Sequence, residues 1–167
     1  MGSGATPAAG RCSNHWARRL GRRGVAIAAA LMAASCGLFS PDIPPPPRSD
    51  TEVIWFKTDR RINDGMLLPA EIIYVTADRE VASLIEIGPG AWFDSPERDK
   101  WPHKTPLMFR NGQDLRYRLA EKPPETHSVV VFFSFFGVEA PEVQQVILGP
   151  DEGREAVIWI GAHAVYH

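Results

Sequence analysis

The sequence predicts an all-β fold, a sandwich of two antiparallel sheets with a short helical insertion between early strands. Short runs rich in β-branched and aromatic residues are separated by Gly and Pro. No helical pattern recurs between these runs, which argues against a parallel α/β fold. The run from Val129 to Phe136 is apolar on both faces and predicts a central strand covered on both sides. A length of 167 residues is that of one ordinary domain.

Six strands are predicted after residue 50. In the third of these, residues 114–119, Leu115, Tyr117 and Leu119 alternate with Arg116 and Arg118, so this strand should bury one face and expose the other. The six runs are 52–57, 71–76, 114–119, 128–136, 142–148 and 155–160. The aromatic residues within them are interpreted as core residues rather than a ligand platform; they are Trp55, Phe56, Phe132, Phe133, Phe135, Phe136 and Trp159.

A helical segment is predicted between the second and third of these strands. Asp78 is a candidate N-cap, Gly88-Pro89 should end the helix, and one face should carry Val81, Leu84 and Ile85. A second helical start is predicted at Ser95-Pro96-Glu97. Nearby Trp92, Phe93 and Trp101 should hold this segment on the sandwich.

Residues 1–35 have the pattern of a bacterial lipoprotein signal peptide. A basic stretch precedes an apolar run of about ten residues, whereas a membrane-spanning helix needs about 20. The sequence Ala33-Ala34-Ser35-Cys36 resembles a lipobox, which implies lipidation of Cys36. Gly37 follows the cysteine and is compatible with transfer to the outer membrane. Whether export is general or twin-arginine stays open.

The charge distribution agrees with export of the part of the chain that follows Cys36. Five of the 18 Lys and Arg residues lie before Cys36, whereas all 20 Asp and Glu residues follow it, so a chain cut at Cys36 has a net charge of −7. Such a body is a poor ligand for nucleic-acid phosphates. Residues 36–50 include Pro44 to Pro47 and predict an extended tether after the lipidated cysteine. Residues 51–167 then form the sandwich domain.

The predicted mature chain contains no recognisable catalytic or cofactor motif. Nucleophile-elbow, phosphate-loop, dinucleotide and zinc signatures do not occur after Cys36. Asp94, Glu97 and Asp99 alternate with basic residues and are interpreted as a solvated face. His163 and His167 are too few to hold a metal. We therefore expect no enzyme activity, no metal, and no cofactor other than the covalent lipid.

The loop after the first strand is the candidate binding element. It combines two arginines with the turn-forming Asn63-Asp64-Gly65 and the apolar residues Met66, Leu67 and Leu68. Arg and Met are enriched at protein interfaces. The alternative is an ordinary connection in which Leu67 and Leu68 already begin the next strand.

The order of these features resembles the outer-membrane lipoprotein family of type VI secretion systems, the TssJ type. The resemblance covers Cys36, the run 53–56, the loop residues 62–65, Pro69 with the run 72–75, 91–93, 129–133 and 157–160. It departs at Leu67-Leu68-Pro69-Ala70, where the family usually has an Arg-Pro-Ser-Pro-like sequence.

The resemblance implies a transthyretin-like sandwich, anchored in the outer membrane and facing the periplasm. Its first loop would bind the periplasmic domain of an inner-membrane secretion protein. Carried over by position, the contact residues would be Arg60, Arg61, Ile62, Asn63, Asp64, Gly65 and Met66. Two alternatives remain: a lipoprotein of another envelope machine, such as a pilotin, or a lipidated periplasmic enzyme or ligand-binding domain using Asp94, Glu97 and His103.

Overall fold

The computed structural model describes residues 46–167, which contain eight strands and one α-helix. The predicted signal peptide, Cys36 and most of the tether lie outside the described residues. Among residues 46–167, no helix combines the length and hydrophobicity that crossing a membrane requires. In chain order the elements are β1 Val53–Thr58, β2 Leu68–Val75, α1 Asp78–Trp92, β3 Lys104–Phe109, β4 Leu115–Arg118, β5 Ser128–Phe133, β6 Gln145–Leu148, β7 Glu155–Ile160 and β8 Val165–Tyr166.

The strands form two four-stranded sheets, which confirms the predicted β-sandwich. Sheet I has the order β4-β1-β7-β8 and sheet II the order β3-β2-β5-β6. All neighbours are antiparallel except β1 and β7, where Val53 lies opposite Glu155 and Thr58 opposite Ile160. A parallel pair needs a long crossover between its strands. Here the crossover from β1 to β7 contains all four strands of sheet II together with α1 and β4.

The main core lies between the two sheets. Ile54, Phe56 and Ile158 of sheet I are fully buried against Ile72 and Phe133 of sheet II. Every residue of β5 is buried, because sheet I covers one of its faces and α1 the other. The prediction of a central strand covered on both sides is confirmed. β4 exposes Arg116 and Arg118 and turns the alternate positions inward, also as predicted.

The crossover between β2 and β3 contains α1, as predicted, but its details differ. The N-cap residue is Ala77 rather than Asp78, and the Glu80 carboxylate accepts hydrogen bonds from the Thr76 backbone and hydroxyl groups. An acidic residue in the first turn thus ties the helix to the residue that precedes its N-cap. Gly88 has a φ of 69° and breaks the helix at the predicted stop. Ile85 is exposed, not packed on the sheet.

A buried carboxylate fastens the end of this crossover to sheet II. The Glu71 side chain is 1% exposed. Its Oε2 accepts hydrogen bonds from Trp92 Nε1 at 2.6 Å and from Arg98 Nε at 2.9 Å, and its Oε1 accepts one from Arg98 Nη2 at 3.0 Å. The bond to Glu71 raises the pKa of Arg98. Ser95 caps the 3₁₀ turn Pro96–Lys100 that carries Arg98, as the sequence predicts.

The prediction misses two strands and misplaces three aromatic residues. β3 contains Pro106, a residue that sheets accept at their edges, and β3 is an edge strand. β8 has only two residues. The interpretation of three aromatic residues as core residues is wrong: Phe136 and Trp159 are exposed, and Trp55 is half-buried on the outer face of sheet I, where its Nε1 donates to Glu155 Oε2. Phe136 lies beyond the end of β5, and the alternation along β7 points Trp159 away from the core.

Candidate protein-binding site

The chain enters the sandwich at one end, here called the proximal end. Ser49 is buried, and its backbone N–H donates to the Thr126 carbonyl at 2.9 Å. Lys122 Nζ donates to the carbonyls of Ser49 and Thr51, both at 2.7 Å. The last residues of the predicted tether are therefore fastened to the folded body.

His127 adds a further contact at the proximal end. Its Nδ1 lies 2.9 Å from the Pro47 carbonyl, and its Nε2 contacts the Asp78 carboxylate. The hydrogen bond to Pro47 raises the pKa of His127, and Asp78 acts in the same direction. A protonated ring donates to both partners, so it links the entering chain to the start of α1.

The β1–β2 loop lies at the opposite, distal end. β1 runs from the proximal end to Thr58, and the register of the antiparallel pairs places the β3–β4 and β5–β6 connections beside it. The β7–β8 connection joins them because β7 runs parallel to β1. The distal end is thus built from four loops, residues 59–67, 110–114, 134–144 and 161–164.

Asn63 holds three of these loops together. It is 3% exposed and has a φ of 48°, in the left-handed region that Asn tolerates better than most residues. Its side-chain Nδ2 donates to the Leu67 carbonyl at 2.7 Å, and its Oδ1 accepts from the Phe136 backbone at 2.6 Å. Its own N–H donates to the Ala162 carbonyl at 2.8 Å.

The β3–β4 loop is fastened by two further bonds. Ile62 N–H donates to Asn111 Oδ1 at 2.9 Å, and Gly112 N–H donates to the Asp59 carbonyl at 2.8 Å. Ile62 itself is fully buried in the main core. The four distal loops therefore form one hydrogen-bonded platform rather than independent flexible connections.

The structure divides the predicted contact residues into two groups. Ile62 and Asn63 are buried and support the loop from inside, and their contact with a partner stays a prediction. The exposed residues are Arg60, Arg61, Asp64, Gly65 and Met66. Leu68 already belongs to β2 and is buried, whereas Leu67 is exposed.

The other candidate residues are exposed and dispersed. Asp94, Glu97, Asp99 and His103 lie on the surface of the α1–β3 connection, where Glu97 pairs with Lys100. His163 Nε2 lies 3.6 Å from Asp64 Oδ1, and His167 Nε2 lies 3.7 Å from Glu152 Oε2. Within residues 46–167, no group of three or more His, Cys, Asp or Glu side chains is placed to hold a metal ion.

Replacing Asn63 by Ala is expected to destabilise the domain by about 2 kcal/mol. The change leaves the Phe136 N–H and the Leu67 carbonyl without their partner, and Ala tolerates the left-handed region less well than Asn does. Urea unfolding of both proteins measures this difference. Asn63→Gly removes the same two bonds without the backbone strain and should lie between the wild type and Asn63→Ala. A midpoint for Asn63→Ala equal to that of the wild type would contradict the role of Asn63.

This chain resembles known proteins in its fold rather than in its sequence. No family model matches the sequence, and a search of curated proteins finds no match. Among solved structures, the chain is similar to the type VI secretion lipoprotein TssJ1 from Pseudomonas aeruginosa, with 16% identity and a TM-score of 0.53 over 74% of this chain and 95% of that chain.

Two further structures share the fold. One, described as a type VI membrane complex, has 14% identity and a TM-score of 0.54 over 70% of this chain and 97% of its own. The other, described as the TssM C-terminal domain from EAEC, has 14% identity and a TM-score of 0.51 over 69% of this chain and 94% of its own. At sequence identities this low, the structural similarity shows a shared fold and nothing further. The described residues therefore have the TssJ-type fold of type VI secretion membrane-complex structures, as the order of sequence features predicts.

Proposed function

We propose that the protein is a lipid-anchored structural component of a type VI secretion membrane complex. The likeness of its fold to a type VI secretion lipoprotein carries this proposal. The predicted signal peptide and Cys36 supply the anchor, with the body facing the periplasm from the outer membrane. The protein has an assembly role without turnover of a substrate.

We further propose that the distal end binds the periplasmic domain of an inner-membrane secretion protein. The tether enters at the proximal end, where Ser49 and Lys122 hold it. In this proposal the distal platform faces away from the anchored membrane and towards the opposite one. Its exposed Arg60 and Arg61 offer the partner two adjacent positive charges.

The enzyme alternative has less support. Its residues Asp94, Glu97 and His103 are exposed side chains on a surface connection, whereas catalytic groups usually converge in a concave site. The pilotin-like alternative keeps the same anchor and differs only in the partner. Binding to the periplasmic domain of the inner-membrane protein therefore distinguishes it from the proposal.

The double replacement of Arg60 and Arg61 by Glu is expected to lower the association rate with that periplasmic domain by roughly tenfold at low salt, because complementary surface charges steer encounter. Both side chains are exposed, so the free energy of unfolding should change by only about 0.5 kcal/mol. Surface plasmon resonance with the purified periplasmic domain measures the rate, and chemical unfolding measures the stability.

Arg79 and Arg118 provide the matched control. Both are exposed and lie away from the distal loops, and their replacement by Glu changes the net charge by the same amount. The control variant should keep most of the association rate. Equal effects of the two double variants would mean that net charge, rather than the distal loop, governs the encounter.

A further inference from the structure

The proximal end contains a buried histidine with a hydrogen-bond acceptor at each ring nitrogen. His127 is 8% exposed. Its Nδ1 lies 2.9 Å from the Pro47 carbonyl oxygen, and its Nε2 contacts the Asp78 carboxylate. A carbonyl group and an ionised carboxylate accept hydrogen bonds and donate none. Both ring nitrogens must therefore carry a proton, so these two contacts together require the charged ring.

The charged ring connects parts of the chain that are far apart in sequence. Pro47 belongs to the chain entering the sandwich and lies 80 positions before His127, whereas Asp78 begins α1 and lies 49 positions before it. The backbone N–H of His127 also donates to the Val75 carbonyl at 2.7 Å, at the end of β2. The histidine is therefore fixed to the body, and its ring fixes the entering chain.

Asp78 is the charged side chain that contacts this ring, from the start of α1. The carboxylate of Glu80 and the ammonium group of Lys122 form hydrogen bonds with other residues. Arg48 of the entering chain donates to the Pro124 carbonyl at 3.3 Å. The remaining charged residues of the adjoining segments are exposed; they are Asp50, Arg79, Glu121 and Glu125. Asp78 is thus the group whose charge acts directly on the ring.

Loss of one proton breaks this arrangement. A neutral imidazole has one donor and one acceptor nitrogen, so it can serve one of the two oxygens and turns a lone pair towards the other. The bond to the charged carboxylate of Asp78 is the stronger of the two. The carbonyl of Pro47, which is an exposed residue, can bond to water instead. The neutral ring therefore keeps Asp78 and releases Pro47.

The folded state favours the protonated ring. The hydrogen bond to Pro47 raises the pKa of His127, burial lowers it by less, and Asp78 raises it further. A pKa that is higher in the folded than in the unfolded chain means that the contact stabilises the fold fully below the ordinary value of about 6.5. This stabilisation is lost as the pH rises through the raised pKa.

We infer that His127 is a pH-sensitive switch for the tether: its protonated ring fixes Pro47 to the body, and its neutral ring releases it. Ser49 keeps its bonds to Thr126 and Lys122 in both states, so the release frees residues 47 and 48. Two residues lengthen the tether by about 7 Å and remove its fixed exit direction. The switch itself does not depend on the proposed function; its effect on the distance to the membrane requires the lipid on Cys36.

Hydrogen exchange of the full-length gene product, purified in detergent micelles, tests this switch. The Ser49 N–H donates to the Thr126 carbonyl two residues after Pro47, so opening of this bond is opposed while Pro47 is held. Its protection factor, the ratio of intrinsic to measured exchange rate, corrects for the direct effect of pH on exchange. Between pH values of about 5.5 and 8.5, this factor should fall roughly tenfold, the effect of one hydrogen bond to a charged group.

His127→Gln separates the effect of the ring from that of Lys122. Burial lowers the pKa of Lys122, which holds the Ser49 carbonyl, so the titration of Lys122 must be distinguished from that of His127. The glutamine variant keeps Lys122 and should show low Ser49 protection that changes by less than about twofold over the same pH range. His103→Gln, at an exposed histidine of the α1–β3 connection, should retain the wild-type fall. A fall in His127→Gln as large as that of the wild type would assign the pH dependence to Lys122 and overturn the inference.

Asp78→Asn tests the switch without removing the ring or its contact with Pro47. The amide still accepts a hydrogen bond but carries no charge, so the protonated ring is favoured less. The fall in Ser49 protection should therefore move to lower pH. The Asp78 side chain is 90% exposed, so the variant should stay folded. A midpoint that stays in place or moves to higher pH would contradict the role of the Asp78 charge and overturn the inference.

The exchange measurement uses neither the lipid anchor nor a partner protein. Ser49 protection that does not change with pH in the wild type overturns the switch and leaves the proposed function standing. Failure of the wild type to bind the periplasmic domain overturns the proposed partner and leaves the switch standing.

Discussion

Replacing Glu71 by Gln is expected to lower the free energy of unfolding by about 3 kcal/mol, the lower end of the cost of breaking a buried ion pair. Glu71 receives hydrogen bonds from Trp92 and Arg98 while almost wholly buried. A neutral amide offers one acceptor oxygen for three donors, so buried N–H groups lose their partners. The cost is at the lower end because the Arg98 side chain is 32% exposed and water solvates part of its charge.

Thermal unfolding followed by circular dichroism measures this prediction. For a domain of this size, a change of about 3 kcal/mol lowers Tm by roughly 10 °C. Glu97→Gln is the control, because Glu97 is an exposed partner of Lys100 and should shift Tm by only a degree or two. An unchanged Tm for Glu71→Gln would mean that Glu71 does not hold the crossover on sheet II.

Arg98→Met tests the same pair from its other side. Removing Arg98 leaves the Glu71 charge in the buried position with only the Trp92 donor. This variant should therefore be at least as unstable as Glu71→Gln. The double variant Glu71→Gln with Arg98→Met should lose less than the sum of the two single losses, because each single change already breaks the shared interaction.

The sandwich could be predicted from the sequence because its signal is local. β-Branched runs and Gly or Pro breaks indicate strands, and the run from Val129 to Phe136, apolar on both faces, indicates the central one. The parallel pairing of β1 with β7 joins residues such as Val53 and Glu155, which are about 100 positions apart. No local pattern encodes such a pairing, since both strands have the same alternation that an antiparallel pair would show.

The supporting residues of the candidate site could be predicted only in part. The residue types of Asn63-Asp64-Gly65 predict a turn, because these residues tolerate positive φ. Whether Asn63 faces solvent or the protein depends on Phe136 and Ala162, which reach it from distant loops. Glu71 was not predicted to have a role, because within its run it looks like one polar residue at the start of a strand.

Replacing Cys36 by Ala is expected to move nearly all of the protein from the membrane fraction to the soluble periplasmic fraction. Lipidation of Cys36 is proposed from its lipobox-like context, and each buried methylene of an acyl chain contributes about 0.8 kcal/mol. Three chains would contribute on the order of 30 kcal/mol, so no contact of the folded body replaces them. Fractionation followed by immunoblotting measures the distribution.

Two further variants make this result unambiguous. Cys12→Ala removes the other cysteine of the chain and should leave the protein in the membrane fraction. A chain in which a cleavable signal peptide of a soluble periplasmic protein precedes Gly37 excludes retention by an uncleaved leader. If that chain remains on washed membranes, the body itself binds the membrane or a membrane protein, and the lipid is not the anchor.

The released chain also tests the proposed roles of the lipid anchor and of the distal platform separately. Because Pro47 and Ser49 are held against the body, only the ten residues 37–46 separate Cys36 from the fold, a reach of at most about 35 Å. The soluble chain should therefore bind the purified periplasmic domain with unchanged Kd, since its distal loops are intact. It should nevertheless fail to restore secretion, because a partner captured far from the outer membrane no longer connects the two membranes.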